Sequence, residues 1–273
     1  MKLKNSVEKS IVITIMTLGS IVVALPFVWM ILSSFKTERE VLNIPPTLFP
    51  NIVTFEHYIR LFEGLDFGVY LKNTLIIVAF SMFGLLLNTA AGYGFGKFQF
   101  RGREILFIIV LTTMMIPGQV TMIPTYLILN VMDLTNTMTG IILPGLISAF
   151  NIFLIRQFMH TIPDDLMEAA RLDGAGEMYI FFKLIIPLAK PILSVQIILT
   201  FIGAWNSFVW PLIVASDESL YTLSVGLSLL QDKHGTDFAL QMAGSAFMVI
   251  PIIIVFIIFQ KHIIEGFNVS GIK

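Results

Sequence analysis

Six long uncharged segments, each rich in Leu, Ile, Val, Phe and Met, divide this 273-residue chain. They are 22 to 28 residues long, whereas the next longest charge-free window has 15. A helix rises about 1.5 Å per residue, so roughly 20 apolar residues cross the hydrocarbon core of a bilayer. The pattern therefore predicts an all-α integral membrane protein with six transmembrane helices. We place the spans at residues 11–32, 73–95, 105–129, 138–155, 191–213 and 239–260.

Helix-breaking and small residues mark particular places within these spans. A proline within a span predicts either an ordinary packing kink or a hinge, because neighbouring helices or water can satisfy the freed backbone groups. Small residues cluster from Asn88 to Gly96 near the end of the second span, which predicts the close approach of another helix. The prolines within the spans are Pro26, Pro117, Pro124, Pro144 and Pro251.

The composition agrees with a membrane location. Charged residues make up 13% of the chain and the mean hydropathy is +0.87, whereas soluble domains carry about 25% charged residues. The formal net charge is -1 and no basic run is present, so nothing attracts nucleic acid. Cysteine is absent, which excludes disulfides and cysteine-held metals. These observations exclude a soluble enzyme, a nucleic-acid-binding protein and a disordered tail.

The distribution of basic residues predicts the orientation of the spans. The segments on one side of the membrane hold 12 Lys and Arg residues, and those on the other side hold five. By the positive-inside rule, both termini are therefore cytoplasmic. The first span follows three lysines, as in a signal peptide, but it is too long for one and we expect it to be retained. We divide the chain into residues 1–70, with the cytoplasmic tail, first span and an external loop, and residues 71–273, a core with the inner loop 156–190.

Signatures of catalysis are missing from the sequence. The stretch from Gly92 to Lys97 lacks the spacing of a phosphate-binding loop, so we expect this chain to hydrolyse no ATP itself. No nucleophile-elbow motif occurs, and no ionisable residue lies within a predicted span, which argues against a proton-driven pump. The histidines have no zinc-site spacing. We expect no catalytic residue, metal or cofactor in this chain. The four histidines are His57, His160, His234 and His262.

Neutral polar and aromatic residues within the spans are candidates for a translocation pathway. Trp205 and Trp210 fit either an aromatic belt at the membrane interface or a wall on which a sugar stacks. The aromatic belt is the favoured interpretation for Trp210. For Trp205 with its neighbour Asn206, the belt and the sugar-stacking wall are equally supported. The candidate pathway residues are Asn88, Gln119, Asn151, Trp205 and Asn206.

The inner loop 156–190 contains a predicted helix–turn–helix. Pro163 suits the first turn of a helix, and the acidic residues after it lie near the positive end of the helix dipole. Gly174 is placed to end this helix, and a second helix is expected at about residues 177–186. The first helix either inserts into a groove of a partner protein or lies on the membrane surface. One face of the second helix carries Tyr179, Phe182 and Ile186.

Residues 168–187 read E-A-A, three residues, G, nine residues and L-I-I-P. This stretch resembles the EAA loop, E-A-A-x3-G-x9-I-x-L-P, of permeases from binding-protein-dependent ABC importers, with Leu184 and Ile186 in place of the typical Ile and Leu. The fuller form E-A-A-x-x-D-G-A is also met and is similar to the carbohydrate-uptake, maltose-type branch. The resemblance extends over most of the chain from about residue 70. It includes Asn73-Thr74, Gly92-Tyr93-Gly94-Phe95, Arg156-Gln157-Phe158 and the stretch from Trp205 to Leu212.

The resemblance implies a type I ABC importer permease in a bacterial inner membrane, with a cytoplasmic coupling helix between spans 4 and 5. The implied partners are a second homologous permease, two copies of an ABC ATPase that bind ATP and Mg, an extracytoplasmic solute-binding protein and the lipid bilayer. The implied cargo is a sugar, specifically a di- or oligosaccharide. The residues implied in coupling to the ATPase are Glu168, Ala169, Ala170, Asp173, Gly174, Ala175 and Pro187.

Other functions stay open at this point. One is an importer permease for another solute, such as a glycerol phosphodiester or a polyol. Another is a stand-alone channel or secondary carrier. The charge-free spans favour a neutral solute over a charged one. A membrane enzyme has the least support, because the sequence offers no nucleophile–base or metal constellation.

Overall fold

The computed structural model is helical, and the part of the chain that it describes contains no strand. The all-α prediction is thereby confirmed. The described residues are 6–63, 66–234 and 237–269, and side-chain surroundings are described within 8–63, 66–230 and 237–261. The ends of both predicted tails and the side chains of His234 and His262 lie outside these ranges.

The helices range from 3 to 32 residues in length, and 3-10 or π-helical turns join some of them. The 3-10 turns are Leu143–Gly145 and Glu218–Leu220, and the π-helix is Ile180–Ile185. In chain order the α-helices are α1 (Ser6–Ser33), α2 (Glu38–Val41), α3 (Glu56–Glu63), α4 (Phe67–Lys97), α5 (Arg103–Met114), α6 (Gly118–Val131), α7 (Met138–Ile142), α8 (Ala149–Met159), α9 (Asp165–Leu172), α10 (Glu177–Tyr179), α11 (Ile186–Leu188), α12 (Lys190–Trp205), α13 (Val209–Val214), α14 (Leu223–His234) and α15 (Phe238–Val269).

Five of the six predicted spans coincide with helices that are long and apolar enough to cross a membrane. Each has a mean hydropathy of at least 1.8 over its most apolar window. These helical segments are Glu8–Ser33, Phe67–Lys97, Met138–Met159, Lys190–Val214 and Phe238–Lys261. The first, second, fourth, fifth and sixth predicted spans are therefore confirmed as candidate spans.

The third predicted span, residues 105–129, differs from the prediction of one continuous helix. The helices α5 and α6 meet at an angle of 102°. The break lies at Pro117, which adopts an extended ψ of 133° and has no N–H to continue the helix. Its ring also disfavours helical backbone at Ile116. Sequence reasoning allowed a kink here but not a bend of this size, and the described chain has five spans, or six if the bent pair counts as one.

The chain forms two compact units, of which the first comprises residues 1–67 and 227–250. In this unit the segment after α1 folds back on itself. Lys36 is buried and its Nζ donates to the carbonyl of Thr47 at 2.5 Å. Arg60 on α3 pairs with Asp237, just before α15, at 2.7 Å. Polar contacts thus give the predicted external loop a defined shape.

The second unit comprises residues 68–226 and 251–273. Two buried apolar clusters lie within it. The first, which we call the loop cluster, consists of Tyr93, Ile155, Met159, Ile162, Met167, Ile180, Phe181, Ile185 and Ala189. The second consists of Ile77, Leu129, Ile141, Ala204, Val214 and Ala215. The predicted boundary at residue 70 rests on membrane topology alone and stays a prediction.

Close packing of α4 against α8 occurs where the small residues cluster. A Cβ added to Gly92 would lie 2.5 Å from the side chain of Ile155, and one added to Gly96 would lie 2.5 Å from that of Met159. Both distances are far below an ordinary van der Waals contact, so these positions require glycine. The predicted close helix approach is confirmed.

Candidate functional site

The segment between the fourth and fifth spans is the first candidate site, and its leading helix is α9. The backbone ends α9 at Gly174, whose φ is +83°. The N–H of Gly174 donates to the carbonyl of Arg171 at 3.0 Å, and the N–H of Ala175 donates to that of Ala170 at 2.9 Å. This is the Schellman arrangement, in which a glycine adopts the left-handed conformation and the carbonyls of the last turn are satisfied. The predicted helix end at Gly174 is confirmed.

One side of α9 packs inward and the other is exposed. Met167 is buried in the loop cluster, and Ala170 and Ala175 pack against that cluster. Glu168 and Ala169 are exposed, and Leu172 keeps 89% of its surface accessible. The three EAA residues therefore lie on different sides of α9. Ala170 packs against the loop cluster, whereas Glu168 and Ala169 face outward.

The second helix of the loop is longer than predicted and has a different buried face. It continues from Glu177 to Leu188 through the π-helix, and Ile180, Phe181 and Ile185 are buried. Sequence reasoning grouped Tyr179, Phe182 and Ile186, of which the first two are exposed. A π-helix places residues five apart on one face.

Pro187 accounts for the wider π-helical turns at Ile180–Ile185. It stands in α11 and has no N–H, so the carbonyl four residues earlier lacks its α-helical partner. Periodicity of 3.6 residues therefore misplaced the buried face. Pro187 itself is exposed, as is Asp173 at the end of α9.

Two ionic contacts hold the two ends of α9. Lys97, the last residue of α4, donates to Asp164 at 2.6 Å and to the carbonyl of Ile162 at 2.5 Å. Arg171 donates to Glu177 at 2.7 Å, which joins α9 to the second helix. The hydrogen bond from Lys97 holds the pKa of Asp164 below its usual value, and that from Arg171 does the same to the pKa of Glu177. Both carboxylates are therefore ionised at neutral pH, as the contacts require.

A third charged contact joins the neighbouring helices. Both terminal oxygens of Glu104 on α5 accept hydrogen bonds at 2.9 Å from Arg156 on α8. The Arg156 guanidinium also lies 3.7 Å from the centre of the Phe107 ring, and Phe107 is buried. Both hydrogen bonds come from the same terminal nitrogen of Arg156. A planar guanidinium can pair with a carboxylate and stack on a ring at the same time, so it suits this position better than an ammonium does.

A cavity of about 550 Å³ in the second unit is the other candidate site. Its lining contains hydroxyl groups, one amide and one indole, together with apolar groups. The amide belongs to Asn151, whose Nδ2 lies 3.5 Å from the Oγ1 of Thr200. The indole of Trp210 donates to the carbonyl of Gly140 at 3.3 Å. The polar lining residues are Ser81, Thr121, Thr125, Ser148, Asn151, Thr200, Ser207 and Trp210.

Of the five candidate pathway residues, Asn151 lines the cavity. Asn88 is buried beside it, where its amide donates to the carbonyl of Leu146 and accepts from the N–H of Ser148. Trp205 is buried and stacks on Phe201 with ring centres 5.6 Å apart.

Gln119 and Asn206 are exposed outside the lining. Sequence reasoning did not select the pair Thr121 and Thr125, although hydroxyls four residues apart on one helix share a face. Nor did it select Lys97 and Tyr93 as loop contacts, because the sequence carries no signal for their distant partners.

Comparison with known proteins identifies the family. The family described as the binding-protein-dependent transport system inner membrane component matches residues 88–268, which is more than half of the chain. This chain belongs to that family. It is therefore a multi-pass inner membrane protein and a transport component.

This inner membrane component is similar to several transport permease proteins over nearly its whole length. It is 36% identical to the arabinooligosaccharides transport system permease protein AraQ of Bacillus subtilis (strain 168), over 93% of this chain and 92% of AraQ. It is 30% identical to the diacetylchitobiose uptake system permease protein NgcG of Streptomyces coelicolor, over 91% of this chain and 84% of NgcG.

A solved structure supports the fold. A chain of a bacterial ABC transporter involved in the import of the acidic polysaccharide alginate matches with a TM-score of 0.81 and 24% identity. The match covers 96% of this chain and 98% of the other. The helical architecture of this inner membrane component is thus that of an ABC importer permease.

Proposed function

We propose that this inner membrane component is the transmembrane permease subunit of an ATP-driven ABC importer for a di- or oligosaccharide. We propose further that α9 is its coupling helix, the element on which an ATPase subunit acts. The observation that carries this proposal is the construction of α9. One side of the helix packs on the buried loop cluster, and the helix ends in a glycine turn. No other part of the described chain covers its outer side.

The outer side of the loop favours a protein partner over the membrane surface. Leu172, Met178 and Tyr179 expose 89%, 73% and 62% of their surfaces, so the loop leaves apolar surface available to a partner. The exposed first turn of α9 carries the acidic residues Asp165 and Glu168. Helices that lie on membranes carry basic residues instead, because bacterial and other cytoplasmic leaflets are anionic.

The chemistry of the cavity supports a neutral, hydroxyl-rich cargo. Its polar groups are hydroxyls, an amide and an indole, and they match the hydrogen-bonding groups and apolar faces of sugar rings. We propose Asn151 as a pathway residue, with Thr121, Thr125 and Thr200 around it. Asn88 would act by fixing the backbone at Ser148. The pathway roles of Gln119, Trp205 and Asn206 stay predictions.

The remaining parts of the importer are supplied by partners in this proposal. A second, homologous permease would complete the translocation pathway as a heterodimer, and two ATPase subunits would bind and hydrolyse ATP with Mg. An extracytoplasmic binding protein would deliver the sugar. This chain would itself be non-catalytic and hold no cofactor, with both termini in the cytoplasm.

Substitution of Gly174 tests the coupling role of α9. A β-branched or bulky residue at φ +83° costs roughly 1–2 kcal/mol, so Gly174→Leu would distort the turn that orients the coupling helix. We expect the assembled complex to lose sugar-stimulated ATPase activity and uptake. Gly174→Asn would retain part of both, because asparagine tolerates the left-handed conformation.

Gly176→Leu is the matched control for this experiment. Gly176 is exposed, has ordinary backbone angles and has open space where a Cβ would stand. Normal stimulation of ATPase activity in an assembled Gly174→Leu complex would contradict the coupling role.

A panel of solutes tests the cargo. Proteoliposomes that contain the complete complex would be offered labelled arabinotriose, diacetylchitobiose and lactose, with glycerophosphocholine and sorbitol as the competing classes. The proposal requires that at least one oligosaccharide is accumulated and that neither competitor is accumulated faster. Preferred uptake of glycerophosphocholine or sorbitol would contradict the sugar assignment and leave the coupling role intact.

A further inference from the structure

We infer that Lys97 and Tyr93 on α4 are positioning residues that tie the coupling helix to α4, so that α4 carries its displacement to the cavity. The inference rests on the proposed function of α9. The chain itself leads from α9 through α10 and α11 into α12. The contacts of Lys97 and Tyr93 lead to a different helix, α4, which ends more than sixty residues before α9 begins.

The contact at Lys97 is built for a fixed position. Only 4% of the Lys97 side chain is accessible, and its ammonium donates both to Asp164, at the start of α9, and to the carbonyl of Ile162. Burial of a lysine side chain costs conformational entropy, and here the charge-assisted hydrogen bonds to two acceptors offset that cost and hold the ammonium in one position. The start of α9 is thereby fixed to the end of α4.

The contact at Tyr93 reaches the second helix of the loop. Its hydroxyl lies 3.3 Å from Glu177 and 3.9 Å from the sulfur of Met167, and its ring packs on Phe181 with centres 5.6 Å apart. Glu177 in turn accepts from Arg171 near the end of α9. One turn of α4 therefore contacts both helices of the loop.

Two adjacent rows of α4 contact different parts of the molecule. Positions 93 and 97 form one row of the helix and contact the loop, while Gly92 and Gly96 form the adjacent row and pack tightly on α8. Further along α4, Ser81 and Ile77 line the cavity. Lys97 lies sixteen positions after Ser81, which corresponds to about 24 Å of continuous helix. A displacement at one end of such a helix reaches the other end directly.

The test measures the number of sugar molecules transported per ATP hydrolysed by the reconstituted complex, with the panel sugar that the wild type transports. Lys97→Met should lower this ratio by about 2- to 30-fold, as expected when a residue that links two sites is lost. Lys97→Arg should restore most of the ratio, since it keeps the charge and the donors. Lys190→Met is the matched control, because Lys190 is exposed and has no ion pair among the described residues.

A second readout separates this inference from the proposed function. Because the chain has no cysteine, a single Leu172→Cys reports whether α9 still cross-links to the ATPase. The inference predicts that the cross-link persists in Lys97→Met while the ratio falls. An unchanged ratio in an assembled Lys97→Met complex would overturn the inference and leave the proposed function standing. Absence of the cross-link in the otherwise wild-type complex would overturn both.

Two milder variants keep the test decisive if Lys97→Met does not assemble. Asp164→Asn alters an exposed carboxylate, and Tyr93→Phe removes only a hydroxyl. A lowered ratio in either assembled variant supports the inference. Full transport per ATP in both would overturn it.

Discussion

At the scale of single residues, glycines decide how closely the helices approach. Gly92 and Gly94 lie two positions apart on α4 and differ in their surroundings. A Cβ at Gly92 would stand 2.5 Å from Ile155 and 3.0 Å from the carbonyl of Ile152, whereas one at Gly94 would meet nothing within 4 Å. Only the first glycine is therefore required by packing.

This difference gives a paired prediction. Gly92→Ala should destabilise the purified protein by roughly 1–3 kcal/mol, because overpacking forces the two helices apart. Gly94→Ala should leave stability unchanged or slightly raised, since alanine favours the helix. Thermal unfolding in detergent measures both, and equal melting temperatures of the two variants would contradict the packing of α4 on α8.

At the scale of elements, the bend between α5 and α6 shapes the cavity. Gly118, Thr121 and Thr125 of α6 line the cavity, and they do so because α6 turns by 102° after Pro117. A second proline, Pro124, lies inside α6 and away from the bend. The two prolines thus have separable effects.

Pro117→Ala should relax the bend, and Pro124→Ala should not. Spin labels at the exposed positions 109 and 123 report the angle, since a continuous helix would separate them by roughly 21 Å. We expect the label distance to lengthen toward that value in Pro117→Ala and to match the parent in Pro124→Ala. An unchanged distance in Pro117→Ala would show that packing, rather than the proline, imposes the bend.

Periodicity and composition predicted the elements well where each helix is long and regular. Five spans and the glycine end of α9 follow from hydropathy and turn chemistry, which are local properties. The π-helix at Ile180–Ile185 and the bend at Pro117 depend on which backbone groups find partners, and no hydrophobic period records that. The cavity lining and the contacts of Lys97 join residues far apart in sequence, so a single sequence carries no pattern for them.

At the scale of the whole molecule, the distribution of basic residues predicts the orientation in the membrane. The absence of cysteine makes single-cysteine labelling of intact cells direct. An impermeant thiol reagent should label Phe49→Cys from outside and label Arg101→Cys only after permeabilisation. The reverse pattern would contradict the cytoplasmic placement of the termini.

A third position determines whether the bent helix pair crosses the membrane. Met132 is exposed just after α6. Met132→Cys should be labelled from outside if α5 and α6 together form one span, which gives six spans in total. Protection of this cysteine together with that at position 101 would indicate a re-entrant pair and five spans.

The central claim is that the chain imports a sugar only as part of an ATP-driven complex. Uptake of labelled oligosaccharide into proteoliposomes tests it most directly, with the tagged chain alone or with the permease and ATPase subunits that co-purify with it. We predict accumulation that requires the partners, the external binding protein and ATP, and that is abolished by Gly174→Leu. Sugar entry at the same rate into liposomes that contain this chain alone, without ATP, would contradict the account.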